Sequence, residues 1–217
     1  RSCETICTFD IEASSGWRQK DGSVIGFNHF IYRHSQKYRD MVEGGEPCAI
    51  MYVWQMAVES DSEIKVFMGR TWEEFDEFLN MLTTEIRRQS VYGKKSVSRM
   101  CENAHAMKVK QNVDMKIWIH NFSYEFAFLR NLYNDEFAKF RGKDHVFARQ
   151  SRKPMKAFFV LNKVKTEFRD TLVLVQKSLD NWTKDSNLPV KKLEVDKDFY
   201  LPIRLPNTEL DDFEIEY

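Results

Sequence analysis

The chain has 217 residues, of which 42% are hydrophobic, so it can bury the core of one large globular domain. Lys+Arg and Asp+Glu balance at 33 each, which excludes a global positive field; any nucleic-acid partner must be gripped locally. The four cysteines, Cys3, Cys7, Cys48 and Cys101, form no CxxC pair or compact Cys/His cluster, which argues against structural zinc and for reduced thiols in a cytosol-like compartment.

In chain order, residues 3–11 read as a strand that leads through an Asp21-Gly22 turn signal into a second apolar segment around 24–33, a predicted hairpin. "CAIMYVWQMAVES" and "SEIKVFMGR" are two further strands in the same meander. From Thr71 the period changes: Trp72, Phe75, Phe78, Leu79 and Leu82 recur at helical spacing, and Thr71 with Glu74 forms a capping box. Residues 90–113 are basic and weakly periodic and read as a surface insertion or mobile loop. A strand over 115–120 and a helix over 123–134 follow. Next come a hairpin about Asn162-Lys163, a helix in "SLDNWTKDSN", a Pro-punctuated connection and a last helix opening in "TELDDFEIEY". No apolar run reaches membrane-spanning length, no signal peptide opens the chain, and no repeat divides it. The expectation is one soluble, monomeric α/β domain over 1–217 with a mixed sheet flanked by helices. Because it opens on Arg1 and closes inside a helical pattern, the chain is read as part of a longer protein.

Asp10 and Glu12 stand at i and i+2 of the first strand, so alternation puts Thr8, Asp10 and Glu12 on one side and Cys7, Phe9 and Ile11 on the other. An Asp-x-Glu strand is by itself most often a solvated edge. Two like charges on one face nevertheless repel unless a cation lies between them, and magnesium accepts carboxylates together with water and phosphate oxygens. A third acid, Glu125, follows the strand that ends in His120-Asn121. It has a sufficient local cause, since Ser123 can cap a helix whose first turn favours acids. That cause does not cover Asn121 and Tyr124, which suit a groove for single-stranded nucleic acid.

Together "FDIE" and "NFSYE" resemble the D-x-E and N-x-x-[FY]-D motifs of the 3′-to-5′ proofreading exonuclease of family B DNA polymerases, above all the protein-primed branch of phages, linear plasmids and organellar elements. Thr171-Leu172-Val173-Leu174-Val175 is similar to that branch's [ST]-L-x-x-h motif and Lys192-Leu193-Glu194-Val195 to its K-x-x-h motif. "DDFEIEY" resembles the approach to Y-x-x-x-D, with Tyr217 as the tyrosine. The resemblance implies an RNase H-like (DnaQ-like exonuclease) fold and two-metal hydrolysis of the 3′-terminal phosphodiester of single-stranded DNA, with two Mg²⁺ or Mn²⁺ ions. It assigns Asp10 to both ions, Glu12 to the ion that activates water and Glu125 to the second. Tyr217 and Lys192 would position the water and the scissile phosphate; His120, Asn121, Tyr124, Thr171 and Leu172 would hold the frayed strand. It further implies a polymerization domain in the same longer chain, a priming (terminal) protein as a possible partner and a cytoplasmic or organellar setting.

Three departures qualify the likeness. Glu125 stands where the family has Asp, which implies lower activity or a manganese preference. The third motif's aspartate would lie beyond Tyr217, so weak metal binding and slow cleavage are expected of these residues alone. Ala13 replaces a hydroxyl residue, with Ser14 as its possible substitute. The alternatives are a catalytically weak RNase H-like module that guides single-stranded DNA or a priming protein, and another RNase H-like nuclease acting alone.

Overall fold

Seven strands hydrogen-bond in the order β4-β3-β1-β5-β8-β7-β6, and an eighth, β2, pairs with β1 off that path. The computed structural model describes residues 5–26, 29–60, 63–98, 113–133, 145–189, 195, 199 and 202–216. The strands are β1 (Ile6–Arg18), β2 (Val24–Gly26), β3 (Glu46–Ser60), β4 (Glu63–Gly69), β5 (Val113–Ile119), β6 (Val146–Gln150), β7 (Lys153–Leu161) and β8 (Val164–Asp170). The sheet is mixed, as expected: β1 runs parallel to β5 and β5 to β8, while β1–β3, β3–β4, β7–β8 and β6–β7 are antiparallel.

Burial along β1 alternates as its sequence predicts, with Cys7, Phe9 and Ile11 in the core and Thr8 and Asp10 exposed on the other face. The strand outruns its expected end, because pairing with β3 holds the Ala13–Gly16 stretch extended. The second apolar segment divides: Val24–Gly26 completes the hairpin, but residues 29–34 are helix α1 (His29–His34) rather than strand, followed by α2 (Gln36–Gly44). Ser35 caps α2 through its side chain.

The main helix, α3 (Trp72–Ser98), lays Phe75, Phe78, Leu79 and Ile86 against the buried sheet face. Its capping box forms: Glu74 N–H donates to Thr71 Oγ1 at 3.2 Å and Thr71 N–H to Glu74 Oε2 at 3.0 Å. The helix extends to Ser98, into the segment expected as an insertion; residues 99–112 lie outside the described set. Helix α4 (Ser123–Leu132) buries Leu129 in the same core and meets α3 where the Phe128 ring lies 6.0 Å from that of Trp72. Between β7 and β8, Asn162 and Lys163 both take positive φ (49° and 65°), the backbone of a tight hairpin turn. Asn162 then donates to Asn80 O and Thr83 Oγ1 of α3. Short helices α5 (Leu172–Val175), α6 (Leu179–Asp185) and α7 (Asp212–Glu216) complete the described chain. Among the described residues no helix is long and apolar enough to cross a membrane.

Candidate active site

Strand order reverses between β1 and β5: the chain builds outward to β3 and β4 on one side and to β8 on the other. In open α/β sheets such a switch point, at the carboxyl ends of parallel strands, opens a crevice. Here β1 and β5 pair only at Cys7↔Ile117 and Thr8↔Trp118, and Asp10, Glu12, His120 and Asn121 come after those pairs. A register shift between Glu12 and Ala13 sets an extra β3 residue against β1 directly after the second acid.

Glu125 meets these strands from the first turn of α4. It is only 4% exposed, and its Oε2 is a buried oxygen without a hydrogen-bond partner. Burial, joined by the charges of Asp10 and Asp170 and a hydrogen bond to Asp10, pushes its carboxyl up to about 8. At neutral pH it therefore carries a proton, which it can donate to Asp10. Tyr124, 40% exposed, has its phenol raised by burial and then by Glu125, Glu12 and Asp10, so the same three acids act on its hydroxyl. The local cause offered for Glu125 fails in one respect: α4 begins at Phe122 with no side-chain cap, so Ser123 does not cap it. Asn121 has a backbone cause of its own, since its φ of 67° lies in the left-handed region, where Asn is one of the few side chains at ease.

The strand-holding candidates lie along the neighbouring wall. Thr171 Oγ1 donates to Ile119 O at 3.2 Å and lies 3.1 Å from His120 Nδ1. The Thr171 hydroxyl is thus within hydrogen-bond reach of both Ile119 O and the His120 ring and holds the imidazole in place. Asp170, overlooked in the sequence, accepts from Asn121 N at 3.1 Å and Leu172 N at 2.8 Å and so binds the ends of β5 and β8 together. The parallel pair Ile119↔Asp170 sets it level with the site, and its place directly before Thr171-Leu172 was the available signal. A groove of 570 Å³ opens over this part of the sheet, lined by Thr8, Asp10, Trp118, His120, Thr171 and Leu174 among others. That volume suits a small ligand or a strand end. Gln55, the cross-strand partner of Asp10, also lines it.

Ser14, the substitute considered for the hydroxyl lacking at position 13, accepts from Arg204 N at 2.8 Å through its Oγ and keeps its own O–H to donate. Lys192 and Tyr217 lie outside the described residues. Among the described residues no three His, Cys, Asp or Glu side chains are gathered closely enough to enclose an ion. The donors present are oxygens, as magnesium or manganese requires, and the orphaned Glu125 oxygen beside Asp10 is one that a cation would satisfy. By chemistry the residues fit such an ion.

No protein-family profile and no curated protein matches the chain. Among solved structures it is similar to Phi29 DNA polymerase complexed with single-stranded DNA, with a TM-score of 0.55 and 16% identity, over 99% of this chain and 29% of that one. The likeness establishes the fold: an RNase H-like mixed sheet flanked by helices. The chain spans less than a third of the length of that polymerase.

Proposed function

We propose that the chain is the 3′-to-5′ proofreading exonuclease domain of a family B, protein-primed type DNA polymerase, and that it hydrolyses the terminal phosphodiester of single-stranded DNA. The observation that carries this reading is buried Glu125 set against Asp10 at the strand-order reversal, with Glu12 two residues further along β1, beside a groove lined by His120 and Thr171. The motifs quoted from the sequence, and a fold shared with a polymerase that was seen with single-stranded DNA, support it.

In this reading two divalent ions, Mg²⁺ or Mn²⁺, held by Asp10, Glu12 and Glu125, supply the charge that activates water and stabilises the leaving oxygen. The chain's own residues prepare the rest. Glu125, protonated against Asp10, would have to release that proton for a cation to be held there, which would couple ion binding to pH. His120, held by Thr171, lines the groove where the strand would lie. Exposed Tyr124 offers a ring to a terminal base or sugar, and Asn121 and Leu172 flank the strand. Lys192 and Tyr217 are proposed to place the scissile phosphate and the water. A polymerization domain and a priming protein are the partners this reading entails.

The test is degradation of a 3′-labelled single strand in Mg²⁺ and in Mn²⁺, with a form that includes the aspartate the resemblance places four residues beyond Tyr217. Asp10→Ala should lose at least a hundredfold in rate while still binding the strand. Equal degradation by both proteins overturns the reading. Strand binding without cleavage in either protein favours the guide module instead.

A further inference from the structure

On the sheet face that carries Asp10, the strand register sets Thr8, Trp118, Arg169, Lys156 and Phe147 in one row across β1, β5, β8, β7 and β6. Thr8 and Trp118 line the groove already described, so the row begins inside the site and leads out of it. Cations and rings alternate along it. The Arg169 guanidinium lies 5.6 Å from the Trp118 ring centre and Lys156 Nζ 4.8 Å from that of Phe147; beside the row, Lys165 Nζ lies 4.6 Å over Phe158. All three cations converge on Glu167, which is 3% exposed: Lys165 at 3.0 Å, Lys156 at 3.5 Å and Arg169 closest of all.

One carboxylate against three cations leaves two positive charges in excess, on a chain whose net charge is zero. The cations are about one-third exposed (31%, 30% and 35%), and each is held between a ring and the shared anion. Their side-chain entropy is thus already lost, and phosphates can be received without further ordering. Phe147 is 46% exposed, with a ring face that a base can stack on.

We infer that this row is a second contact for single-stranded nucleic acid, in which Arg169, Lys156 and Lys165 take phosphates and Phe147 takes a base, continuing a strand whose end occupies the groove. Its direction from the groove rests on the function proposed above; its affinity for a strand does not. Four strand spacings separate β1 from β6, on the order of 19 Å, which a stacked single strand covers in roughly six nucleotides. A trinucleotide should reach only the groove, and a dodecamer both.

The test is fluorescence anisotropy with labelled single strands of these two lengths, in chelator so that none is cut, over a series of salt concentrations. Lys156→Ala and Lys165→Ala each leave Glu167 with two cations, and their melting curves report that the fold persists. Each should weaken dodecamer binding several-fold and lower the salt slope by about 0.7 while leaving the trinucleotide unchanged, and Lys156→Arg should restore the slope. An unchanged dodecamer affinity and slope, equal weakening for both lengths, or no binding of any single strand overturns the inference and leaves an internal ion-pair cluster. Length-dependent binding that survives in a protein without Asp10-dependent cleavage would sink the proposed reaction and keep this contact. Cleavage with no length dependence would do the reverse.

Discussion

Glu125 shows how one residue type serves two rules. An acid in the first turn of a helix satisfies the helix dipole, and a solvated glutamate would do so. This one is buried against Asp10 instead, with its carboxyl raised to about 8 from an ordinary 4.5. Between those values the folded chain holds a proton that the unfolded chain has released. Its contribution to stability is therefore complete below about pH 4.5 and is lost as pH rises through about 8. Thermal or urea unfolding from pH 5 to 9 should show a decline on the order of a few kcal/mol from this group, and Glu125→Gln should remove it. Millimolar Mg²⁺ or Mn²⁺ should recover stability above pH 8 in the parent and not in the variant. Parallel pH profiles for the two proteins would show that Glu125 is ionised without strain and that the acids are too far apart to matter to one another.

Among the elements, α3 is the one whose start was most legible. Thr71 and Glu74 cap each other's backbone N–H as their spacing predicts, so Thr71→Ala should lower stability by about 1 kcal/mol, seen as a lower urea midpoint with an unchanged slope. An unchanged midpoint would mean that packing of Phe75 and Leu79 alone sets the helix end. β1, β3, β4 and the β7–β8 hairpin were equally readable, because alternation and turn chemistry are local signals that the core here does not override. Helices α1 and α2 were not: Phe30 and Ile31 are apolar yet exposed, so they imitate a strand, and only Ser35 before α2 marked a helix start. The far half of β1 was hidden for another reason. Ala-Ser-Ser-Gly has little strand preference and is extended only because β3 pairs with it. In the site, the face that Asp10 shares with Thr8 was legible from a period of two. Asp170 was marked only by its place before Thr171-Leu172; its contact with Asn121 comes from the parallel register of β5 and β8.

At the scale of the molecule, two arginines decide where the chain's last described segment lies. Arg70 donates from Nη2 to Leu205 O and Thr208 O at 2.8 and 2.7 Å, and from Nε to Tyr52 O at 2.6 Å. Arg204 is buried; its Nε meets Glu214 Oε1 of α7 at 2.5 Å, Nη1 donates to Phe199 O, and its backbone N–H donates to Ser14, two residues beyond Glu12. Ile203 seats against Gly26, where a Cβ would come within 2.6 Å of it. The segment is thus tied to the strand that bears the acids. Replacing Arg204 by Leu strands Glu214 and a carbonyl, a change that should cost about 3 kcal/mol. Amide hydrogen exchange should quicken across residues 202–216 and around Ser14 while the β5–β8 core stays protected. If Tyr217 acts in the reaction, cleavage should fall in this variant while affinity for a short strand holds, because the groove residues are untouched. Unaltered exchange in 202–216 would assign the anchoring to Ile203 and its glycine seat, and Gly26→Ala would then become the substitution that frees the segment.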